Sequence, residues 1–190
     1  MKGECSDAAS QWYCNTLFYK AFPKALNIGR SGWTIEEWTH TINNGDPLIA
    51  KLAEMEYHTQ IIIELGANNV HDARRSAEDL LTLMLDLISL LRKTFPKSKL
   101  KLLSILPRYY PEYYKGHQEK ITATNQAFQL YFKDHADEAE YMDVTSYFNM
   151  NGEKEANIVM FMPDHLHLSC DIGYAAFERA IKQSFPNLGK

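Results

Sequence analysis

Cysteine is scarce in this chain: Cys5, Cys14 and Cys170 are the only three in 190 residues. So few and so widely spaced, they build neither a disulfide framework nor a zinc-ligand cluster, and a reducing compartment is the default expectation. Long apolar runs are missing too. No window reaches the ~18 uncharged apolar residues of a membrane-spanning helix, and no apolar signal-peptide core follows Met1-Lys2-Gly3-Glu4. The expectation is a cytoplasmic chain without membrane insertion. Positive charge is not in excess, since 20 Lys and Arg stand against 24 Asp and Glu for a formal net charge of −4. That balance leaves no electrostatic footprint for a phosphate backbone, so nucleic acid is not expected as a ligand. Internal repeats and low-complexity tracts are also lacking.

What the chain does have is an ordinary globular composition, 45% hydrophobic and 23% charged. At this length one domain over residues 1–190 would bury about 70% of its unfolded surface without a staple. The strongest helical signal runs from Ser76 to Phe95. There Leu80, Met84, Leu87, Ile88, Leu91 and Phe95 recur at helical spacing, and Ser76 with Asp79 offers an N-cap. Further helices are expected from about Asp7 to Ala21, Thr34 to Asn43, Asp46 to Glu56, Gln118 to Lys133 and Tyr174 to Ser184.

Between these helices lie short apolar runs bounded by turn residues: Ala25 to Ile28, Gln60 to Leu65, Leu100 to Leu106 and Glu140 to Val144. They read as strands. Near-continuous apolarity in Ile61–Leu65 and Leu102–Leu106 suits strands covered on both faces, and alternation with helices suits crossovers in a mostly parallel sheet. A three-layer α/β/α domain follows. The polar stretch 149–157 reads as an exposed loop. The aromatic run Tyr109 to Tyr114 follows a strand end, where open α/β sheets place their ligand crevice, and either lines a pocket or covers a helix edge.

The loops after the strands carry the chemistry. Gly29-Arg30-Ser31-Gly32-Trp33-Thr34 is a turn whose glycines let backbone N–H groups approach a ligand without Cβ obstruction. Gly66-Ala67-Asn68-Asn69 supplies an amide side chain and backbone donors of the types that stabilise a developing oxyanion. In Pro163-Asp164-His165-Leu166-His167-Leu168-Ser169, Asp164 and His167 stand three apart, as a base and the carboxylate that orients it would. Each signal alone is common: a Gly-x-x-Gly is usually only a turn, an Asn after Gly usually a cap, and Asp-x-x-His frequent by chance. Their joint order is not.

In that order the chain resembles the SGNH, or GDSL-type, hydrolases over nearly its whole length, and especially the branch of the platelet-activating-factor acetylhydrolase catalytic subunits. The blocks that carry the resemblance are Asn27 to Gly32, Gly66 to Asn69, Leu106-Pro107-Arg108, and Asp164 to Ser169 followed by Gly173-Tyr174. The resemblance implies a flavodoxin-like SGNH fold without cofactor or metal. By it, Gly32 would give a backbone donor and Asn68 a side-chain donor to the oxyanion. His167 would be the general base and Asp164 its orienting partner, with His165 a neighbour.

Two positions depart from the family pattern. The Gly-Asp-Ser block that should carry the nucleophile corresponds to Gly3-Glu4-Cys5-Ser6-Asp7, with Cys5 at the serine position and Ser6 one place off. Three readings stay open: Cys5 as a thiolate nucleophile, Ser6 after a one-residue shift, or a site that binds without cleaving. Only Met1 and Lys2 precede Gly3, so the family's first strand is expected to be missing from the chain as given. A truncated N-terminus, another segment or chain in the slot, and a sheet rearranged around an edge stay open, and an open edge would favour strand pairing and a homo-oligomer. A third, milder departure is Asn69 where the block often has Asp; an Asn there can still bond a loop.

The leading expectation is an esterase that transfers a small acyl group, best an acetyl, from an ester substrate to a nucleophile near Cys5. The alternative is an impaired SGNH-fold binding or interaction module. A flavodoxin-like nucleotide binder ranks third, because no glycine-rich phosphate loop follows a first strand.

Overall fold

Three short apolar strands pair in parallel in the order β1-β2-β3: β1 is Gln60–Ile63, β2 is Lys99–Leu103 and β3 is Glu140–Met142. The register sets Ile61 beside Leu100, Ile63 beside Leu102, and Leu102 beside Tyr141. The computed structural model describes residues 18–55, 60–108, 116–148, 167–169 and 171–186. The helices among them are α1 (Ile35–Asn43), α2 (Pro47–Glu54), α3 (Ala77–Thr94), α4 (His117–Asp134) and α5 (Ile172–Ser184), with 3₁₀ turns at Asn69–His71 and Thr145–Phe148. Residues 18–21 are helical as well.

The parallel α/β architecture expected from the sequence is therefore the one observed. Helix starts are fixed by local chemistry. Thr34 and Glu37 form a capping box on α1, Ser76 and Asp79 form another on α3, and Asp46 caps α2 ahead of Pro47.

The residues fall into two compact units interleaved along the chain. A sheet unit comprises Arg30–Leu106 and Glu119–Asp143, and a terminal unit comprises Met1–Gly29, Pro107–Gln118 and Val144–Lys190. In the sheet unit α1 packs against α3. Its core is built from Ile63 of β1, Leu102 and Leu103 of β2, Ile35 of α1, Leu80, Met84 and Ile88 of α3, and Phe128 and Phe132 of α4, all buried. Each such side chain contributes about 1.5–3 kcal/mol through burial. In the terminal unit α5 packs against the Thr145–Phe148 turn. Phe22, Phe148, Ala176, Ala180 and Ile181 are buried there, and the Tyr147 hydroxyl donates to Gln183 Oε1 at 2.8 Å.

Two strand expectations need correction. Ala25 to Ile28 is not a strand among the described residues. The Ala25 N–H donates to the Phe22 carbonyl, Asn27 Oδ1 accepts from the Gly29 N–H at 2.9 Å, and Leu26 is 57% exposed. The Asn27 side chain thus offers its own backbone a turn in place of a ladder. The run from Leu100 to Leu106 ends as a strand at Leu103, although the Ser104 N–H still donates to the Met142 carbonyl of β3 at 2.9 Å. Beyond it the Ile105 N–H donates to Asn125 Oδ1 (2.8 Å) and the Ile105 carbonyl accepts from Asn125 Nδ2 (2.9 Å), so an α4 side chain replaces a neighbouring strand.

The expected missing first strand, the Tyr109 to Tyr114 run, the 149–157 loop and most of the Asp7 to Ala21 helix lie outside the described residues. Among the described residues no helix is long and apolar enough to cross a membrane.

Candidate active site

The Gly66-Ala67-Asn68-Asn69 block follows β1, and its shape is set first by glycine. Gly66 has φ +110°, an angle that strains any side chain, and a Cβ there would stand 2.9 Å from the terminal Cδ1 of buried Ile105, which would have to shift. The Gly66 carbonyl accepts the Val70 N–H at 3.2 Å, which folds the block into the short 3₁₀ turn that begins at Asn69.

From this turn two adjacent amides reach the segment that leads into α1. The half-buried Asn68 donates through Nδ2 to the Trp33 carbonyl at 3.0 Å. Its amide carries two N–H donors, and the carbonyl takes one. Asn69, 3% exposed, accepts the Ile35 N–H on Oδ1 at 3.0 Å and donates through Nδ2 to Glu36 Oε2 at 2.5 Å. The Glu36 carboxylate also pairs with Arg75, whose Nε reaches Asp72 Oδ2 at 3.4 Å. Lys120 of α4 donates to the Asp72 carbonyl at 2.5 Å. Asp72 carries the guanidinium of Arg74 on its two oxygens, and that bonding holds its carboxyl below the usual carboxylate range.

Gly32 belongs to the same sheet unit. It is exposed, has φ +79°, and a Cβ there would meet nothing within 4 Å, so glycine serves backbone angle rather than close approach. Next to it the Arg30 guanidinium lies 4.3 Å from the centre of the Trp33 ring and bonds Asp46 Oδ2 at 3.2 Å. Trp33 and Trp38 meet edge to face at 5.2 Å. The Ile49 N–H, then that of Leu48 and Arg30 itself, lowers the Asp46 pKa. Thus the Gly32 turn is tied to the N-terminus of α2 on one side and to the Asn68 amide on the other. Gly32 and Asn68, the two expected oxyanion donors, are joined through Trp33.

His167 belongs to the terminal unit and is exposed. Two residues on, Ser169 is buried. Its Oγ accepts the Gly173 N–H at 2.8 Å and its carbonyl accepts the Tyr174 N–H at 2.9 Å. Asp171 caps α5 by accepting the Ile172 N–H at 2.6 Å, a bond that, with the Ser169 side chain, lowers its pKa. The stretch from Ser169 to Tyr174 is therefore an anchor that delivers the chain to α5 immediately after His167. Cys5, Ser6, Asp164 and His165 lie outside the described residues. Among those described, no group of three or more His, Cys, Asp or Glu side chains is placed to hold a metal ion.

The clamp residues Glu36, Arg75 and Lys120 escaped the sequence reading. Glu36 sits beside the Thr34-x-x-Glu37 capping signal, but nothing local to it names Asn69 as its partner.

No protein-family model matches the chain, and no curated protein matches it. Solved structures do. A GDSL-like lipase from Bacteroides thetaiotaomicron superposes with a TM-score of 0.70 at 19% identity, over 93% of this chain and 82% of the other. A protein of Streptococcus pneumonia provisionally described as a platelet activating factor superposes with a TM-score of 0.67 at 22% identity, over 88% of this chain and 76% of the other. With its parallel sheet and its glycine-asparagine turn after β1, the chain has the fold of the GDSL-like lipases.

Proposed function

We propose that the chain is an ester hydrolase that acts on a small acyl ester, best an acetyl ester, by nucleophilic acyl transfer. The observation that carries the reading is the Asn68 amide fixed on the Trp33 carbonyl next to Gly32, in a fold shared with a GDSL-like lipase. A side-chain amide and a glycine turn held together are suited to receive the oxygen of a tetrahedral intermediate.

In this mechanism Cys5, as thiolate, attacks the acyl carbon. The Gly32 N–H and the remaining Asn68 N–H stabilise the oxyanion, and protonated His167 gives its proton to the departing alkoxide. Water, deprotonated by His167, then attacks the thioester, and the thiolate leaves as the acid is released. Asp164 orients the imidazole throughout. The small-molecule ester is the only ligand the mechanism needs.

A second reading, a binding module that does not turn over, is favoured by the cysteine in the serine position of Gly3-Glu4-Cys5. An acyl-enzyme-forming probe separates the two. Mass-spectrometric labelling at Cys5 or Ser6 that vanishes in His167→Ala supports the hydrolase. A folded chain that stays unlabelled, or labels equally without His167, supports the binding module.

A further inference from the structure

Asn69 satisfies two demands of opposite polarity at once. The Ile35 N–H needs an acceptor, and the Glu36 carboxylate needs a donor; one amide supplies both, at 3.0 and 2.5 Å, in a position 3% exposed. A carboxylate at 69 would meet the first demand and set a second anion against Glu36. Glu36 is not at liberty to turn away, because its other oxygen is paired with Arg75, which in turn bonds Asp72 at the end of the same loop. Glu36 keeps water on part of its side chain, which is 35% exposed, but a carboxylate at position 69, 3% exposed, would itself be buried against it.

We propose that Glu36 and Arg75 act through Asn69 as positioning residues for Asn68: the pair fixes the backbone of the turn, and the turn holds the neighbouring amide at 3.0 Å from the Trp33 carbonyl. The catalytic consequence rests on the oxyanion role proposed above for Asn68. The positioning itself is a matter of hydrogen-bond polarity. Exchanging the polarity across the pair restores it. In the double variant Asn69→Asp with Glu36→Gln, the new carboxylate accepts from both the Ile35 N–H and the glutamine amide. The glutamine oxygen faces Arg75, and the total charge equals that of the natural chain.

The test compares the natural chain, Asn69→Asp and the double variant by two readouts: the side-chain NH₂ resonances of Asn68, identified by their loss in Asn68→Ala, and the hydrolysis of p-nitrophenyl acetate. The single variant is expected to shift the Asn68 resonances and to lower kcat about 10-fold or more with KM little changed, as misplacement of a catalytic donor does. The double variant is expected to restore both. Should Asn69→Asp fail to fold, a folded double variant with native Asn68 resonances supports the pairing, and a double variant that also fails overturns it.

Unmoved Asn68 resonances in a folded Asn69→Asp, or no recovery in the double variant, overturn it as well. Moved resonances with unchanged kcat count against Asn68 as the oxyanion donor and leave the pairing supported. If the natural chain hydrolyses no ester, the hydrolase reading fails and the resonances alone decide the pairing.

Discussion

The turn after β1 and the segment entering α5 each hold a candidate catalytic residue, and they are fastened in opposite ways. Asn68 and Asn69 bond partners 33 to 35 positions away, through side chains that cross from the turn after β1 to Trp33 and the first turn of α1. Among the described residues Ser169 and Asp171 bond locally, to each other and to N–H groups at the start of α5. The first arrangement depends on the fold of the sheet unit; the second is one helix N-terminus satisfying its own donors. Disturbing the first should therefore cost more and reach farther than disturbing the second.

The largest effect is expected at Gly66. Alanine there must adopt φ +110° and places its Cβ 2.9 Å from Ile105 Cδ1, so denaturant unfolding should show a loss of about 3 kcal/mol from strain and overpacking together. Gly32→Ala shares the positive φ but meets no neighbour, and the same measurement should give only about 1 kcal/mol. Equal costs at the two glycines would contradict the packing role assigned to Gly66.

Next comes the contrast of clamps. Asn69→Ala leaves the Ile35 N–H without its acceptor and the Glu36 carboxylate without its amide donor, for about 2 kcal/mol. Ser169→Ala removes one local acceptor, from the Gly173 N–H, for about 1 kcal/mol or less. If the serine proved the costlier, the long-range clamp would not be the stronger fastening.

The smallest effect is in pH. Asp72, Asp46, Asp79, Glu37 and Asp171 all have lowered pKa values in the folded chain, chiefly from Arg74 at Asp72 and from backbone N–H groups at the others. Below the unfolded carboxylate pKa the unfolded state binds more protons than the folded one. The stability these groups contribute is thus complete above about pH 5 and is lost as pH falls through the lowered values. A melting temperature that declines over that acid range, with Asp72→Asn flattening part of the decline, is the expected outcome. Asp72 and Asp46 remain in contact with solvent, which screens these interactions, so the change is modest.

Legibility followed the same division. α1 and α3 begin where Thr34 and Ser76 announce them, because a capping box is spelled out within four residues. The strands were legible as apolar runs, but their ends were not. Asn125 lies 20 residues from Ile105 and takes over its backbone, and Asn27 turns the chain where a strand was expected. Asn68 and Gly32 were singled out through their resemblance to family blocks. The bond that joins Asn68 to Trp33, and the Glu36-Asn69-Arg75 clamp beneath it, are tertiary contacts that no local pattern encodes. Asn69, expected to bond a loop in place of the more usual aspartate, bonds the first turn of α1 instead, and its Glu36 partner supplies a physical reason for the amide.

Whether Asn68 and His167 serve one reaction is addressed most directly by steady-state hydrolysis of p-nitrophenyl acetate by the natural chain, Asn68→Ala and His167→Ala. Measurable turnover is predicted, falling about 100- to 1,000-fold in kcat without the oxyanion amide and disappearing without the imidazole. Turnover that survives both substitutions in folded proteins, or a natural chain with none, would contradict the assignment.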